Sequence, residues 1–509
     1  MSPNSQIVGV HLDLKYQMPG KRYLMDWVRR LPSLGINTLL IEYEDKFPFV
    51  RHPFLRHVDA FTPAELRELL AAARGAGLRV APLLQSLSHL EFALNHEALA
   101  SLRECPEIPT QICPCNKDAV KFIHDLQDEV MAFHAEDEWF HIGADEAWSL
   151  GSCPDCARRA GNDTTALWLE HTAAMCERVR RLGKRPMMWD DAFWKEPSLA
   201  VELPSDVLLC SWDYGVTRIA PEQNPARLMT AYERLGREAV GCPCLNWGLL
   251  FPRRHTMENT AAWAGLLRQS GRGMINTSWA SFHTLLPTWV MQVAATGALM
   301  QGVEAGAEWE ADFLAGEFGV RVAGLPDALA ALGEMWEVPI EGLKRPITLP
   351  LHACMDMVLH YPGGQEERKQ RGGYPLNMEE IDFTAMYRRK LELLRGLPDA
   401  RPIHEKLDCY LGACSGAVSK LSELAGSAQR RREEAALFLA LGELKLVALR
   451  ALSLHLRHDL DPASVLRDAQ ACRSQLERLL PQFVEPSGCR LLLRMWCKPI
   501  QDALDRRSR

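Results

Sequence analysis

Two adjacent carboxylates, Asp145 and Glu146, follow directly after the apolar run WFHIGA that begins at Trp139. Neighbouring acids can divide the work of proton transfer, because different surroundings keep one carboxyl protonated to donate and the other ionised. The small residues Gly143 and Ala144 just before them leave room for a substrate beside the backbone. A strand end with merely solvated carboxylates is the alternative, but the spacing favours general acid–base catalysis.

Other polar and aromatic residues recur where further apolar runs end. They include Asp13, Glu42, Gln85, His89, Trp189, Asp190, Trp212, Tyr214, Asn246 and Trp279. Indole rings stack on the C–H faces of sugar rings, while carboxylates and amides bind sugar hydroxyls. If the ends of these runs meet in space, the sequence predicts a sugar-binding pocket.

Eight short apolar runs are the elements that would bring these residues together. They begin near Gln6, Ile36, Arg79, Trp139, Arg185, Val207, Ala239 and Gly273. Each is a nearly continuous hydrophobic run, which is typical of a parallel strand buried on both faces. Eight strand–helix units in about 300 residues predict an α/β protein with a (β/α)8 TIM barrel, whose active site lies at the carboxyl ends of its strands. An open doubly wound sheet is the alternative, but no G-x-G-x-x-G fingerprint follows the first run.

Helix start and stop signals separate these runs. The sequence Thr62-Pro63-Ala64-Glu65 predicts an N-cap with a capping box. Helical patterns over Leu24–Leu34 and Thr164–Leu182 each end at a glycine directly before the next strand. After residue 325 the pattern becomes almost wholly helical. We therefore predict a catalytic barrel over residues 1–325 and an α-helical C-terminal domain over residues 326–509.

Composition narrows the classes of partner. The 509 residues contain 58 Lys and Arg against 65 Asp and Glu, which gives a net charge of −7. A mildly acidic chain has no general electrostatic attraction for nucleic acid or for an anionic membrane. No apolar run approaches the ~20 residues that span a bilayer. The N-terminus lacks the pattern of a secretory signal, so we expect a cytoplasmic protein. The oligomeric state is not indicated.

Fifteen cysteines are an odd and scattered set, which favours reduced thiols over a disulfide framework. Two local pairs remain notable, Cys113 with Cys115 and Cys153 with Cys156. Together they could bind a structural zinc ion that ties two loops of the barrel mouth together. Free thiols are the favoured interpretation, because the C-x-C spacing of the first pair chelates poorly.

Four segments carry a resemblance to a known family. They are HLDLK from His11, LLIEYEDKFPF from Leu39, APLLQSLSHLEFAL from Ala81 and HIGADE from His141. In these segments the chain resembles the family 20 glycoside hydrolases, the β-N-acetylhexosaminidases, and most closely their hexosaminidase D branch. The resemblance covers roughly residues 7–300, is strongest up to Trp148, and does not extend to the helical tail.

The resemblance implies an exo-acting enzyme that removes terminal β-linked GlcNAc or GalNAc with retention of configuration. Family 20 is a substrate-assisted exception among retaining glycosidases. The 2-acetamido oxygen of the sugar would attack the anomeric carbon and form an oxazolinium-like intermediate. Glu146 would act as the acid and then the base, Asp145 would orient the acetamido group, and His89 would support both. The resemblance implies that catalysis requires no cofactor.

The same resemblance suggests residues that bind the sugar. Trp189, Trp212 and Trp279 would form an aromatic wall. Tyr214 is the candidate hydrogen-bond donor to the acetamido carbonyl, and Asn246 is a further polar candidate. Asp13 is the best ligand for the outer hydroxyls, because the arginine that secreted members carry near the first strand is absent. The preference between GlcNAc and GalNAc therefore stays open.

Two other functions remain alternatives. One is a two-carboxylate retaining β-glycosidase in which Glu42, Glu44 or Asp190 serves as the nucleophile. The other is a non-catalytic carbohydrate-binding barrel. The presence of both Asp145 and Glu146 argues against the second.

Overall fold

The computed structural model describes residues 6–215, 224–247, 250–279, 285–334, 336–338, 347–349, 382–396, 401–457 and 459–505. The strands are β1 Val8–Asp13, β2 Thr38–Glu42, β3 Arg79–Leu83, β4 Arg103–Cys105, β5 Ile108–Ile112, β6 Trp139–His141, β7 Arg185–Trp189, β8 Leu208–Trp212, β9 Ala239–Cys242, β10 Cys244–Trp247, β11 Met274–Trp279, β12 Trp336–Val338 and β13 Ile347–Leu349.

Helices alternate with the barrel strands and then fill the C-terminal part. The α-helices are α1 Lys21–Arg30, α2 Pro63–Gly75, α3 Glu91–Leu94, α4 Lys117–Phe133, α5 Pro154–Ala160, α6 Thr165–Arg181, α7 Pro225–Arg234, α8 Arg254–Ser270, α9 Leu286–Met300, α10 Ala307–Phe318, α11 Leu325–Gly333, α12 Phe383–Arg395, α13 Arg401–Ser427, α14 Arg432–Arg457, α15 Pro462–Leu479, α16 Pro486–Trp496 and α17 Lys498–Asp505. Short 3-10 helices cover Leu31–Leu34, Glu44–Lys46, Pro53–Leu55, Glu97–Leu102, Asp191–Phe193, Pro197–Glu202 and Leu480–Gln482. Among the described helices, none is long and apolar enough to cross a membrane.

Parallel strands close into a barrel in the order β1-β2-β3-β6-β7-β8-β9-β11, and β11 pairs with β1 to complete the ring. At the closure Val8 lies opposite Met274. The predicted (β/α)8 barrel, followed by a helical C-terminal region, is confirmed. The antiparallel hairpin of β4 and β5 is an excursion between β3 and α4.

The sequence predicts the seventh barrel strand as one continuous run, but the structure divides it into two strands. It divides at Pro243 into β9 and β10, because proline has no backbone N–H to donate to a neighbouring strand. The carbonyl of Pro243 still accepts the backbone N–H of Thr277 at 2.9 Å, so β11 follows the strand across the break.

Local helix signals are confirmed. At the start of α2, Thr62 and Glu65 form the predicted capping box, each side chain accepting the other residue's backbone N–H. The pattern over Leu24–Leu34 becomes α1 and a 3-10 turn that ends at Gly35, whose φ is 81°. Helix α6 covers nearly the whole predicted range.

Side chains from alternate strand positions fill the barrel interior. This interior cluster includes Leu40, Leu83, Met187, Trp189, Leu208, Val240 and Ile275. A second apolar layer packs the outer face of the strands against the surrounding helices. The interior is therefore solid, and polar groups reach solvent only beyond the strand ends.

A third apolar cluster joins the C-terminal helices to α9–α11. The predicted boundary between the two domains, at residues 325 and 326, falls at the start of α11. The third apolar cluster contains residues from both sides of this boundary, which stays a prediction. The C-terminal region also touches the segment after β1. The backbone N–H of Gly20 donates to the carbonyl of Phe483 at 2.8 Å, and that of Glu485 to the carbonyl of Met18 at 2.9 Å.

Candidate active site

The loop after β6 has an unusual backbone. Gly143, Ala144 and Glu146 have φ values of 65°, 71° and 50°. Non-glycine residues in this left-handed region cost about 1–3 kcal/mol each and persist where the surroundings enforce them. A Cβ at Gly143 would lie 1.8 Å from Oε1 of Gln85, so any other residue there would displace the Gln85 side chain. The sequence motif thus reads as a tight turn that presents two acids to the barrel mouth.

Side chains from neighbouring loops hold this turn. Oε1 of Gln85 accepts the backbone N–H of Ala144 at 3.3 Å, and the indole N–H of Trp168 donates to the carbonyl of Ala144 at 3.1 Å. The carboxylate of Asp191 accepts the backbone N–H of Glu146 at 2.9 Å. Three different strand-end or helix positions therefore fix the backbone that carries the acids.

His89 is the centre of the predicted catalytic group. Its Nε2 lies 3.3 Å from Oδ2 of Asp145 and 3.3 Å from Oε2 of Glu146, and its Nδ1 lies 3.9 Å from Glu91. His89 itself has a φ of 52°, so its backbone is also constrained. The structure brings together all three residues that the sequence placed at the centre of the chemistry.

Burial and charge act against each other on this group. Burial lowers the pKa of His89, but the carboxylates of Asp145, Glu146 and Glu91 outweigh it and raise that pKa well above its usual value. Burial raises the pKa of Asp145, yet the neighbouring His89 imidazolium leaves it below its usual value. We conclude that an imidazolium lies beside an ionised Asp145 at neutral pH.

The carboxylate oxygens of Asp145 and Glu146 differ in their exposure, which suits them to different chemical roles. Oδ1 of Asp145 is buried and has no hydrogen-bond partner among the described residues. The side chain of Glu146 is 27% exposed and borders a cleft with Trp148 and Asp191. One acid therefore offers a buried acceptor, and the other reaches open space.

A second polar group lies at the ends of β1 and β2. Nε2 of His11 is 3.4 Å from Oε2 of Glu42, and Nζ of Lys15 is 2.8 Å from Oε1 of Glu44. Asp13 is buried beside them and accepts the backbone N–H of Lys15 at 2.8 Å. Burial, followed by the charge of Glu42, raises the pKa of Asp13 to about 6.

The predicted aromatic residues form a connected series. The ring centroids of Trp189 and Trp279 are 5.6 Å apart, and the indole N–H of Trp279 donates to the hydroxyl of Tyr214 at 2.7 Å. Tyr214 stacks on Trp212 at 5.2 Å. Trp189 is 1% exposed and packs 4.4 Å from His141, so it lies at the floor of the mouth rather than on its wall.

Of the other residues named from the sequence, the structure describes the side chain of Asp190 but not that of Asn246. Asn246 lies in β10 opposite Ser278, but its side chain is outside the described residues. Asp190 is fully buried and accepts hydrogen bonds from Trp194 at 3.1 Å and from Tyr232 at 2.9 Å. Burial raises the pKa of Asp190 to about 6, and its two hydrogen bonds give it a structural role beside the site.

Gln85, Asp191 and Trp148 also belong to this site, although none of them was assigned an individual role from the sequence. Gln85 links the two polar groups, because its Nε2 also donates to Glu42 at 3.4 Å. Asp191 holds the backbone of Glu146, and Trp148 lines its cleft. Gln85 was already among the polar residues at the ends of the apolar runs, and the same signal, a position directly after a barrel strand, could have found Asp191.

The cysteines near this loop also converge. Sγ of Cys113 is 3.3 Å from Sγ of Cys153 and 3.5 Å from Sγ of Cys156. The carboxylate of Glu104 joins these three as a fourth possible metal ligand. Cys115, which the sequence included, lies outside this set of four and accepts a contact from Arg159 at 3.8 Å.

Comparison with known proteins shows which family this chain resembles in sequence. The model of "Glycosyl hydrolase family 20, catalytic domain" matches residues 42–240. Hexosaminidase D of Bos taurus is 32% identical over 320 residues, which are 58% of this chain and 92% of that protein. Hexosaminidase D of Homo sapiens is also 32% identical over 320 residues, with 56% of this chain and 64% of that protein covered.

Solved structures give a more distant likeness. The crystal structure of β-N-acetylhexosaminidase from Bacteroides fragilis NCTC 9343 has a TM-score of 0.48 and 19% identity, over 60% of this chain and 68% of that one. The N-acetyl-β-hexosaminidase of Streptomyces plicatus in complex with Thio-NAglucal has a TM-score of 0.45 and 16% identity, over 59% and 64%.

Proposed function

The chain belongs to glycosyl hydrolase family 20 and is a β-N-acetylhexosaminidase, and we propose that it releases single terminal β-linked N-acetylhexosamines with retention of configuration. The nucleophile in this proposal is the acetamido oxygen of the substrate. The substrate is an oligosaccharide or small glycoside with a terminal 2-acetamido sugar. Catalysis in this family needs no cofactor.

The observation that carries the proposal is the sharing of one imidazole by two adjacent acids. Asp145 and Glu146 both contact Nε2 of His89, and Oδ1 of Asp145 has no partner among the described residues. An ionised carboxylate oxygen in this position suits the N–H of an acetamido group. Adjacent acids on one turn suit a substrate whose own amide attacks, because no second carboxylate has to face the first across the bond.

In the first step, the protonated form of Glu146 donates its proton to the glycosidic oxygen while the acetamido oxygen forms a bond to the anomeric carbon. The bond from that carbon to the leaving group breaks, and the leaving group departs as an alcohol. Asp145 accepts a hydrogen bond from the acetamido N–H and stabilises the positive charge that develops on the oxazolinium ring. His89 keeps Asp145 ionised.

In the second step, the Glu146 carboxylate removes a proton from water as that water attacks the anomeric carbon. The bond to the acetamido oxygen breaks, and the N-acetylhexosamine leaves with its original configuration. The exposed side chain of Glu146 and its cleft with Trp148 suit a group that must meet both the leaving alcohol and the water.

The remaining residues are proposed to bind the sugar. Trp279, Tyr214 and Trp212 form the aromatic side, with Trp189 below them. Asp13 supplies an acceptor for an outer hydroxyl.

A two-carboxylate mechanism fits the side-chain contacts less well. Glu42 is paired with His11, Glu44 is paired with Lys15, and Asp190 accepts two hydrogen bonds from its neighbours. Each candidate nucleophile thus has at least one oxygen in contact with a side chain of the protein itself. This favours a nucleophile that the substrate brings.

The test compares chromogenic β-GlcNAc, β-GalNAc and plain β-glucoside as substrates. We expect turnover of the acetamido sugars and strong inhibition by a thiazoline analogue of the oxazolinium ion, with little hydrolysis of the glucoside. Equal rates on the glucoside, together with no thiazoline inhibition, would contradict the mechanism while leaving glycosidase activity in place. We also propose a cytoplasmic location, which fractionation of the source cells would test.

A further inference from the structure

Three thiols from two separate loops meet at the far end of the loop that carries the acids. Cys113 follows the β4–β5 hairpin, while Cys153 and Cys156 stand at the start of α5. Sγ of Cys113 lies 3.3 Å from Sγ of Cys153 and 3.5 Å from Sγ of Cys156, whereas disulfide sulfurs lie about 2.05 Å apart, and all three cysteines are free. The three side chains therefore converge on one point without being joined.

A buried carboxylate completes this group. Oε2 of Glu104 is 3.2 Å from Sγ of Cys156, and Glu104 is 0% exposed. Its Oε1 accepts the backbone N–H groups of Gly151 at 2.9 Å and Cys153 at 3.2 Å, which fixes the carboxylate in place. The four ligand atoms of Glu104, Cys113, Cys153 and Cys156 all lie within 4.8 Å of one another.

We propose that these four residues bind one zinc ion in a closed, structural site. Zinc prefers thiolate, imidazole and carboxylate ligands in a tetrahedron with Zn–S bonds of about 2.3 Å, and the edges of such a tetrahedron are about 3.6–3.8 Å long. The observed separations of 3.2–3.5 Å need only a small outward movement of each ligand atom to admit the ion. Binding releases the thiol protons to solvent, so the ligands become thiolates.

The donor set explains why zinc fits better than other cations. Soft thiolates disfavour magnesium and calcium, which take oxygen ligands. The C-x2-C spacing of Cys153 and Cys156 at a helix start is common in zinc sites. A divalent cation also compensates the burial of the Glu104 carboxylate, which is 0% exposed.

The position of the site gives it a role in holding the catalytic loop. The backbone N–H of Ser149 donates to Oε1 of Gln111 on β5 at 3.1 Å, and that of Ile112 donates to the carbonyl of Leu87 at 3.0 Å. Leu87 is two residues from His89, and Ser149 is three residues from Glu146. A metal that joins Cys113 to Cys153 and Cys156 would close this connection and act as a positioning device, without touching the substrate.

Metal analysis of the full-length protein tests the proposal. Purified without chelators from zinc-supplemented growth, the protein should contain about one zinc ion per chain. Cys153→Ser and Cys156→Ser should each lower that content to about one tenth or less. Cys409→Ser is the matched control, because Cys409 is an exposed thiol on α13, and it should keep the full content.

Cobalt substitution tests the ligands without relying on a variant that folds poorly. Cobalt added to the metal-free wild type should give the visible bands of a tetrahedral ion and the near-ultraviolet bands of cobalt–thiolate charge transfer. Cys115→Ser should leave these bands unchanged, while Glu104→Gln should weaken metal binding. A wild type without zinc and without cobalt–thiolate bands overturns the proposal, and so does a disulfide between Cys113 and Cys153. Loss of the bands in Cys115→Ser would overturn the choice of Glu104 as the fourth ligand.

Discussion

Two groups of charged side chains lie at the mouth of the barrel, and they distribute their charges differently. In the group after β6, the single imidazole of His89 serves both Asp145 and Glu146. In the group at β1 and β2, Glu42 and Glu44 each have a separate basic partner. The side chain of Glu146 is 27% exposed, whereas those of Glu42 and Glu44 are 3% and 6% exposed.

The group after β6 is arranged to react with a substrate, whereas the group at β1 and β2 is held in place by its own ion pairs. A shared imidazole leaves the acids incompletely paired, so one oxygen of Asp145 and the carboxyl of Glu146 remain for a substrate. In the second group, one oxygen of each carboxylate faces a basic side chain of its own, and both carboxylates are buried. Gln85 contacts the catalytic loop through Ala144 and the second group through Glu42, so the two are mechanically connected.

The largest expected effect comes from Glu146→Gln. Loss of the proton donor should lower kcat by about 10²–10⁴-fold, because that range is typical of general acid–base catalysis. The loss should be greatest for substrates with a poorly acidic leaving group, which need the proton most. Steady-state kinetics on a series of aryl glycosides measure this. The matched variant Glu44→Gln in the second group should lose much less of its kcat. Equal losses of kcat in the two variants would contradict the different roles of the two groups.

Asp145→Asn should have the next largest effect. The change removes the charge that stabilises the oxazolinium ring and should lower kcat by about 10²–10³-fold, as for other lost electrostatic stabilisers. Affinity for a thiazoline inhibitor should fall with it, because that inhibitor resembles the charged ring. Circular dichroism should show an unchanged fold. Retained turnover would remove Asp145 from the mechanism.

His89→Gln should lower kcat by about 10- to 100-fold, since a hydrogen bond to a charged group contributes about 1.5–3 kcal/mol. The pH dependence of stability supplies a second readout. The raised pKa of His89 stabilises the fold fully below about pH 6.5 and loses this effect as pH rises through the folded-state value. The lowered pKa of Asp145 acts at the other end, where its contribution is lost as pH falls below about 4.

The difference in Tm between wild type and His89→Gln should therefore be greatest between about pH 4 and pH 6.5 and should shrink in alkaline solution. A carbon–proton NMR titration of the His89 ring should give a pKa well above the usual value. A normal pKa for this ring would mean that Asp145 and Glu146 do not share its charge.

Asp13→Asn should have the smallest effect on turnover, and it should raise the stability of the fold at pH 7, whereas His89→Gln lowers stability. Because burial raises the pKa of Asp13 to about 6, ionising it costs up to about 3 kcal/mol as pH rises from its usual pKa to 7. The variant should be more stable than wild type at pH 7 and equal to it near pH 4, as thermal unfolding at both values would reveal. Its kcat/KM should fall by about tenfold, because a hydroxyl ligand is weakened. A lower Tm at pH 7 would contradict the assignment.

The barrel could be predicted from the sequence because its strands are local patterns. Continuous apolar runs, the capping box at Thr62 and the glycines that end helices each act within a few residues. The break at Pro243 was also readable, since proline cannot donate a hydrogen bond, but a continuous apolar run concealed it. Asp145, Glu146 and His89 were found because one motif and one strand end carry them.

The rest of the site depends on contacts between distant segments, which no local pattern encodes. Gln85 reaches Ala144 across 59 positions, and Glu104 reaches Cys156 across 52. The left-handed backbone at Ala144 and Glu146 is likewise enforced by neighbours such as Trp168 rather than by residue type. The spacing offered Cys113, Cys115, Cys153 and Cys156 as possible zinc ligands, with free thiols favoured, and the structure gathers three of these cysteines with Glu104 instead of Cys115.

The contact between residues 18–21 and 483–485 bears on how the protein is made. The backbone N–H of Lys21 donates to Glu485, a residue that is 464 positions later in the chain. At about 5–20 residues per second, a ribosome adds that partner roughly 20–90 seconds after it has added Lys21. Residues 18–21, which follow β1 and Lys15, can therefore make these contacts only after residues 483–485 have been added. A nascent chain that stops before residue 483 would have the acids of β6 but would lack these contacts to the segment that follows β1.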